Sequence, residues 1–381
     1  TLSGATTQHS RAPMRTTVVH TRLTAVQAPA TVTQARRPRD VMPVRRVISG
    51  TPCRSPLTPT STERSNDVVK SPDLPVLPGS DQVAPASAIW SSETWRWEAV
   101  RWMDTALARR GLERVPTTPL QPRVRPWSTV LVAETTDQGR VWFKATSPEM
   151  SPEAAILRAL RSVTPDAVPV VWADDPERGW LLMPDQGPVL RDVQRDDDAV
   201  SLMSSVVRRY ARLQRSSTRV VDQLRDAGVP DMSPRESARR WQRLGLKPDT
   251  TREVRRAAQR LDAVGLPLTI QHDDLHAGNV FADGTSAGAH DARIFDWGDA
   301  SVGNPLCSLL VPLERIGEGL YDDAARAARE RILRAYLSVW SDVVSSTALS
   351  AAVDDALLIA RVGRVFTWQR ALTRASADER H

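Results

Sequence analysis

Lysine is nearly absent from this chain: Lys70, Lys144 and Lys247 are the only three among its 51 basic residues, so arginine serves almost wherever a positive charge is wanted. Cysteine is as scarce. Cys53 and Cys307 suggest no disulfide framework and fit a reducing compartment. No apolar run reaches the length of a membrane span, and the N-terminus has no uninterrupted apolar secretory core, so the expectation is a cytoplasmic protein with no membrane association. Aromatic residues are missing from positions 1 to 85, which are rich in Thr, Ser, Pro, Val and Arg and show neither helical nor alternating periodicity. Such a stretch cannot bury enough apolar surface to offset the entropy of ordering it, and residues 1–86 are expected to be a disordered basic tail. Within it, Arg36-Arg37-Pro38-Arg39 is the piece suited to an acidic partner.

The net charge of +6 belongs to that tail, which carries eleven Lys and Arg against five Asp and Glu, leaving forty of each sign beyond it. A balanced folded part argues against a nucleic-acid groove there, where a concentrated basic face is expected.

What is present begins at Ile89-Trp90. Ser91–Arg110 has the apolar spacing of an amphipathic helix, ended by Gly111. Five strand-like pieces follow: 123–127, 129–135, 140–146, 168–172 and 180–183. The second and third are joined by the hairpin residues Thr136-Asp137-Gln138-Gly139. Between the third and fourth, Ser151-Pro152-Glu153 opens a helix through Arg161, with Ser as N-cap and Pro at the first helical position. This predicts a small antiparallel sheet with a helix on it, in an N-terminal lobe of residues 87–187. Residues 188–381 read as a mainly helical lobe, with periodic stretches at 200–214, 234–244, 252–264, 322–343 and 348–374.

The chemistry concentrates in Gln271-His272-Asp273-Asp274-Leu275-His276-Ala277-Gly278-Asn279-Val280 and, after a polar insert, Arg293-Ile294-Phe295-Asp296-Trp297-Gly298. A carboxylate five residues before a carboxamide, with a second carboxylate closing an apolar run, is the equipment for metal-assisted phosphoryl transfer. Asp274 suits the base that receives the acceptor hydroxyl's proton, while Asn279 and Asp296 offer the oxygen ligands that Mg²⁺ prefers. Gly278 lets the loop turn tightly, and His272 suits a bracing role by hydrogen bonding. A cation for the phosphates is also needed, and Lys144 stands near the end of the third strand in a chain that otherwise chooses arginine. Glu153 is its natural partner, with Glu149 of Ser147-Pro148-Glu149 as a competitor. The same residues fit other chemistries poorly. The His272-Asp273 doublet of helical phosphohydrolases has no upstream histidines except His9 and His20, the His272/His276 pair lacks the glutamate of a zinc helix, and no Gly-x-x-x-x-Gly-Lys-Ser/Thr loop exists.

These residues resemble the aminoglycoside phosphotransferase and choline kinase-like family, whose His-x-Asp-Leu-His-x-Gly-Asn signature is matched by His272–Asn279 and whose Asp-Trp is matched by Asp296-Trp297. The resemblance covers roughly residues 90–375. It implies the bilobal protein-kinase fold, ATP and Mg²⁺ as cofactors, Asp274 as catalytic base, Asn279 and Asp296 on the metal, and Lys144, steadied by Glu153, on the nucleotide phosphates. It also implies that Leu182-Met183-Pro184-Asp185 is the hinge, with Met183 and Asp185 beside adenine, and that Asp273, His276, Trp297, Asp299 and the last two helices line the acceptor pocket. The chain departs from the protein kinases in having no Gly-rich loop between the first two strands, where Arg125-Pro126-Trp127-Ser128-Thr129 stands. Ser128 and nearby backbone amides are the candidates to cover the phosphates. Activation-segment signals are missing too, since Gly303-Asn304-Pro305 follows Asp296 closely, which favours a small-molecule acceptor such as an aminoglycoside, an amino sugar or an amino alcohol. The alternative is a nucleotide-binding scaffold that keeps the fold without turnover.

Overall fold

The computed structural model describes residues 84–282, 291–318 and 320–380. The basic tail, with Arg36–Arg39, and most of the polar insert lie outside the described residues.

The N-terminal lobe is built on a five-stranded antiparallel sheet of order β1-β2-β3-β5-β4. Two helices precede it, α1 (Ala86–Ser91) and α2 (Glu93–Ala108). The single helix expected from Ser91 is therefore two, because Ser92 is extended and caps α2 by accepting from the Trp95 amide at 3.3 Å. The strands are β1 (Leu120–Val124), β2 (Ser128–Thr135) and β3 (Gly139–Thr146), then β4 (Ala173–Asp175) and β5 (Trp180–Pro184) after α3 (Glu153–Val163). Gly139, at φ +67°, makes the β2–β3 turn as its sequence predicts. Alternation along β3 sends Val141, Phe143 and Ala145 to one face, where they pack with Trp95, Met103 and Leu107 of α2 and with Trp180. Phe143 and Trp180 meet edge to face at 5.3 Å. Lys144 is thereby turned to the opposite face.

Two expected strands are displaced. The first ends at Val124 rather than Trp127, because Pro126 can donate no ladder hydrogen bond and the chain must bend there. The fourth lies at Ala173–Asp175, not 168–172: the carboxamide of Gln186 accepts from the Val170 amide and donates to its carbonyl, both at 3.2 Å, taking the place of a strand partner. Ser151 does not cap α3. Its hydroxyl donates to the Ala300 carbonyl at 2.5 Å and accepts from Arg370, tying the helix entrance to the other lobe.

The second lobe is mainly helical. It opens with α4 (Leu190–Val193), α5 (Ala199–Ser217), α6 (Val221–Asp226), the short β6 (Asp231–Met232), α7 (Pro234–Arg243) and α8 (Pro248–Ala263). Next come β7 (Thr269–Gln271), β8 (Val280–Phe281), β9 (Arg293–Ile294) and β10 (Ser301–Gly303), in which β10 lies between β6 and β7 and β8 pairs with β9. The chain closes with α9 (Leu310–Arg315), α10 (Asp322–Leu337), α11 (Ser346–Ala351) and α12 (Val353–Ala371). The stretch 348–374 is thus broken at Ala352, and 322–343 stops being helical at Leu337. A core around Tyr210, Trp297, Tyr336 and Trp340 fills this lobe and runs without interruption to Ile156, Leu157 and Leu160 of α3. That continuity anchors α3 between the lobes. Among the described residues no helix is long and apolar enough to cross a membrane.

Candidate active site

The short strands hold two irregular segments against each other at the junction of the lobes. β7 delivers residues 272–279 and β9 delivers Asp296, and the β8–β9 ladder with the Phe295 amide donating to the Asn279 carbonyl at 3.1 Å keeps them adjacent. Among the described residues, Asp273 and Asp296 are the two non-glycine residues with positive φ, at 62° and 68°. Such backbone is costly for a residue with a Cβ and persists where surrounding contacts over-determine it. For Asp273 those contacts are a 2.6 Å bond from Ser301 to its carboxylate and a 2.8 Å bond from Arg364 to its carbonyl.

Asp274 and Asn279 face each other across the loop: the Asn279 Nδ2 donates to the Asp274 carbonyl at 2.9 Å and to its Oδ2 at 3.2 Å. Burial alone would push the Asp274 carboxyl up, but a hydrogen bond from His276 and the charges of Arg364 and the nearby histidines outweigh it and hold the group below its ordinary range. His272 is fully buried, with Nε2 2.8 Å from the Phe295 carbonyl and Nδ1 accepting from the Asp274 amide at 3.3 Å. Nε2 therefore carries the proton, and burial lowers the ring's affinity for a second one. The ring braces the loop. Gly278 lies in the single tight turn Ala277–Asn279, and a Cβ there would lie 2.7 Å from the His276 ring.

Lys144 reaches across the lobe boundary. Its Nζ lies 2.6 Å from Glu153 Oε2 and 2.6 Å from Asp296 Oδ1, while Glu153 Oε1 accepts from the Trp297 amide at 3.1 Å. Desolvation works against the ammonium, but the Asp296 and Glu153 charges exceed it and raise its pKa. Desolvation likewise works against the Asp296 carboxylate, and Lys144 reverses it, so that the carboxyl is depressed. Glu149, the competing partner, is engaged by the Ser147 hydroxyl and by Arg374 at 3.8 Å instead.

A cavity of about 200 Å³ opens between the lobes here, lined by Ser128, Lys144, Asp274, Asp296 and Asp299 among others. The expected residues Met183 and Asp185 are not among its lining. Met183 is in β5 opposite Trp142, and Asp185 donates its amide to the Arg140 carbonyl at 3.0 Å, where the chain leaves the sheet for the second lobe. Trp297 is fully buried in the core rather than facing an acceptor. Asp273 is turned to Ser301, whereas Asp299 does line the cavity. Burial, with the neighbouring carboxylates, pushes the Asp299 carboxyl up to about 7 in spite of Arg364.

Arg364, Trp368 and Trp127 were not singled out by local sequence. Arg364 Nη1 stands 3.4 Å from Asp299 Oδ2 and 3.7 Å from Asp274 Oδ1, and Trp127 meets Trp368 edge to face at 5.7 Å in the cavity lining. Nothing in a sequence-local pattern distinguishes Arg364 and Trp368 from other arginines and tryptophans of an amphipathic helix, and where β1 turns to β2 the expectation fell on Ser128 rather than on Trp127. Only the helix-level expectation that the last two helices border the pocket points toward α12.

The profile of the Phosphotransferase enzyme family (APH) matches residues 128–344, more than half of the chain and including Ser128, the strand lysine, the loop and Asp296. Among solved structures, a macrolide 2'-phosphotransferase type I is similar at 17% identity and a TM-score of 0.50, covering 76% of this chain and 95% of that one. An ethanolamine kinase from Plasmodium vivax is 9% identical with a TM-score of 0.48, covering 71% of this chain and 78% of that one. No curated protein matches by sequence. At such identities the first likeness is one of fold.

Proposed function

Because the chain belongs to the phosphotransferase enzyme family, we propose that it transfers the γ-phosphoryl group of ATP to a hydroxyl of a small molecule. The observation that carries the reading is the ion-paired chain Glu153–Lys144–Asp296, drawn from a helix, a strand and a loop, standing in the same cleft as Asp274. Phosphoryl transfer asks the protein mainly for position and charge. Lys144, fixed at its two carboxylates, offers a compact ammonium to phosphate oxygens. Asp274, ionised at neutral pH, orients the acceptor hydroxyl and takes its proton as the hydroxyl oxygen bonds to phosphorus and the bond to the bridging oxygen of ADP breaks.

The donor set suits Mg²⁺. The Asn279 carboxamide spends its nitrogen on Asp274, which leaves its oxygen free to coordinate, and Asp296 keeps Oδ2 beyond the oxygen held by Lys144. No cluster of three or more His, Cys, Asp or Glu able to hold a metal occurs among the described residues, and Mg²⁺ needs only one or two such ligands beside water and phosphates. When bound, the ion would neutralise charge on the phosphates. Asn279 and Asp296 are the residues proposed to hold it, and Ser128 to face the phosphates. For Met183 and Asp185 the proposed place beside adenine rests on their position at the strand exit alone.

An ADP-release assay with a panel of aminoglycosides, amino sugars, amino alcohols and macrolides tests the activity. Asp274→Asn is expected to lower turnover on the active acceptor by roughly 10²- to 10⁴-fold while the protein stays folded. Unchanged turnover in the folded variant would remove Asp274 from the role of base. Binding of ATP with no transfer to any acceptor would favour the scaffold reading.

A further inference from the structure

Away from the cleft, α5 differs from several of the charged helices. In α6, α7 and α10 arginines meet carboxylates three or four positions away, as Arg225 does Asp222, Arg240 does Glu236 and Arg326 does Asp323. α5 carries Arg208, Arg209, Arg212 and Arg215 and has no Asp or Glu between Ala199 and Ser217. Arg209 turns away to the carbonyls of Ala292 and Asp166. The others, with Arg219 beyond the helix end, follow the spacing i, i+4, i+7, i+11 and form one stripe over about 16 Å. Like charges at that spacing repel one another.

The stripe borders a groove between α5 and the end of α10. One part is a cavity of about 750 Å³ lined by these four arginines with hydroxyl donors such as Ser216, Thr218 and Ser341. A second, of about 310 Å³, shares Arg208 and adds Arg331 and Arg334 from α10. Few carboxylates answer them. Asp342 pairs with Arg215 at 2.7 and 3.0 Å, and Glu330 stands 3.5 Å from Arg334. Arg208, Arg212 and Arg219 make no ion pair and no side-chain hydrogen bond among the described residues, although the folded part as a whole is balanced in charge.

We propose that this groove binds an oligophosphate anion, a small molecule carrying two or more linked phosphates, at a site separate from the catalytic cleft. Guanidinium forks and hydroxyl donors are the groups that meet phosphate oxygens, and the cavity is of small-molecule size. Single-stranded nucleic acid fits less well, because it calls for exposed rings on which bases stack. No aromatic residue lines either cavity, and Trp340, whose ring lies 5.8 Å from the Arg215 guanidinium, is buried. The tail is no candidate occupant, since its net charge has the same sign as the groove. No residue lines both this groove and the cleft.

Calorimetric titration of the full chain with tripolyphosphate, in magnesium-free buffer at fixed ionic strength, tests the proposal. The wild type is expected to bind and to melt at a higher temperature with the ligand. The double variant Arg208→Gln/Arg212→Gln should lose about tenfold or more in affinity. Its unliganded melting temperature should not fall, because a repulsion has been removed. Lys144→Met, which removes the cation proposed for the nucleotide phosphates, should bind tripolyphosphate as the wild type does at a temperature where it stays folded, which keeps this result independent of the catalytic reading. Equal affinity in wild type and double variant would overturn the proposal. So would the failure of tripolyphosphate to bind, whether or not single-stranded RNA does.

Discussion

Lys144 shows how one residue is decided by its neighbours. A lysine so buried is stable in charged form only with its carboxylates in place, and removing one partner of a buried ion pair leaves the others uncompensated. Lys144→Met is therefore expected to cost about 3–5 kcal/mol in urea denaturation at pH 7. The sign with pH follows from the two shifts. The raised Lys144 pKa contributes stability below 10.5, and the depressed Asp296 carboxyl contributes above 3.8, so the wild-type interaction is whole throughout the neutral range. In the variant the penalty should shrink as pH falls, because desolvation no longer opposed by Lys144 favours the protonated Asp296 carboxyl. Asp299 works in the opposite sense. Its folded pKa, pushed up to about 7 from 3.8, means that folding is opposed progressively as pH rises between those values and in full above them. Asp299→Asn should thus stabilise the protein at pH 8, on the order of 2 kcal/mol after allowing for partial solvent access, and not at pH 4. Equal stability of variant and wild type at pH 8 would disprove the burial argument for this carboxyl. Lys144 and Asp274 were legible in the sequence because scarcity and spacing marked them. Arg364 was not, because its meaning is its distance from Asp274 and Asp299, groups 90 and 65 positions earlier in the chain.

At the level of elements, turns that look alike in sequence differ in what surrounds them. Gly139 and Gly179 both stand in tight turns with positive φ, at +67° and +65°. A Cβ on Gly139 would meet nothing within 4 Å, whereas one on Gly179 would lie 2.5 Å from the Thr146 carbonyl oxygen. Gly139→Ala should cost roughly 1 kcal/mol, the strain of a left-handed residue. Gly179→Ala adds a backbone clash at the end of β3 and should cost clearly more, about 3 kcal/mol in all. Thermal denaturation of the two variants compares them directly, and similar losses would mean that the turn yields without disturbing β3. Because Thr146 also lines the cleft, activity should fall with Gly179→Ala and not with Gly139→Ala. The β2–β3 hairpin was readable because turn chemistry and alternation are local. The strand expected at 168–172 failed because Gln186, sixteen positions beyond Val170, satisfies that residue's backbone with a side chain, and no local pattern signals such a substitution.

On the scale of the whole molecule, the lobes are joined by contacts that the cleft itself contains. Lys144 and Glu153 bind the Asp296–Trp297 segment, Ser151 binds Ala300, and Trp127 touches Trp368. A ligand held by both lobes should stabilise them together. ATP with Mg²⁺ is expected to raise the melting temperature, with a gain of about 2.7 kcal/mol at a hundred times Kd, and EDTA should abolish most of the shift. A shift indifferent to EDTA would argue against Asn279 and Asp296 as metal ligands. By itself the sequence determined the mixed sheet-and-helix composition, the loop 272–279, Asp296 and the lysine set apart by rarity, since periodicity, spacing and composition act along the chain. Tertiary structure alone decided that Glu153 rather than Glu149 faces Lys144, that Trp297 is core, and that Arg364 stands beside Asp274. It alone gathered arginines from α5 and α10 into one face of a folded part whose positive and negative residues are equal in number. Those outcomes depend on distances between segments far apart in sequence, and such distances are set only when the cores of the two lobes pack.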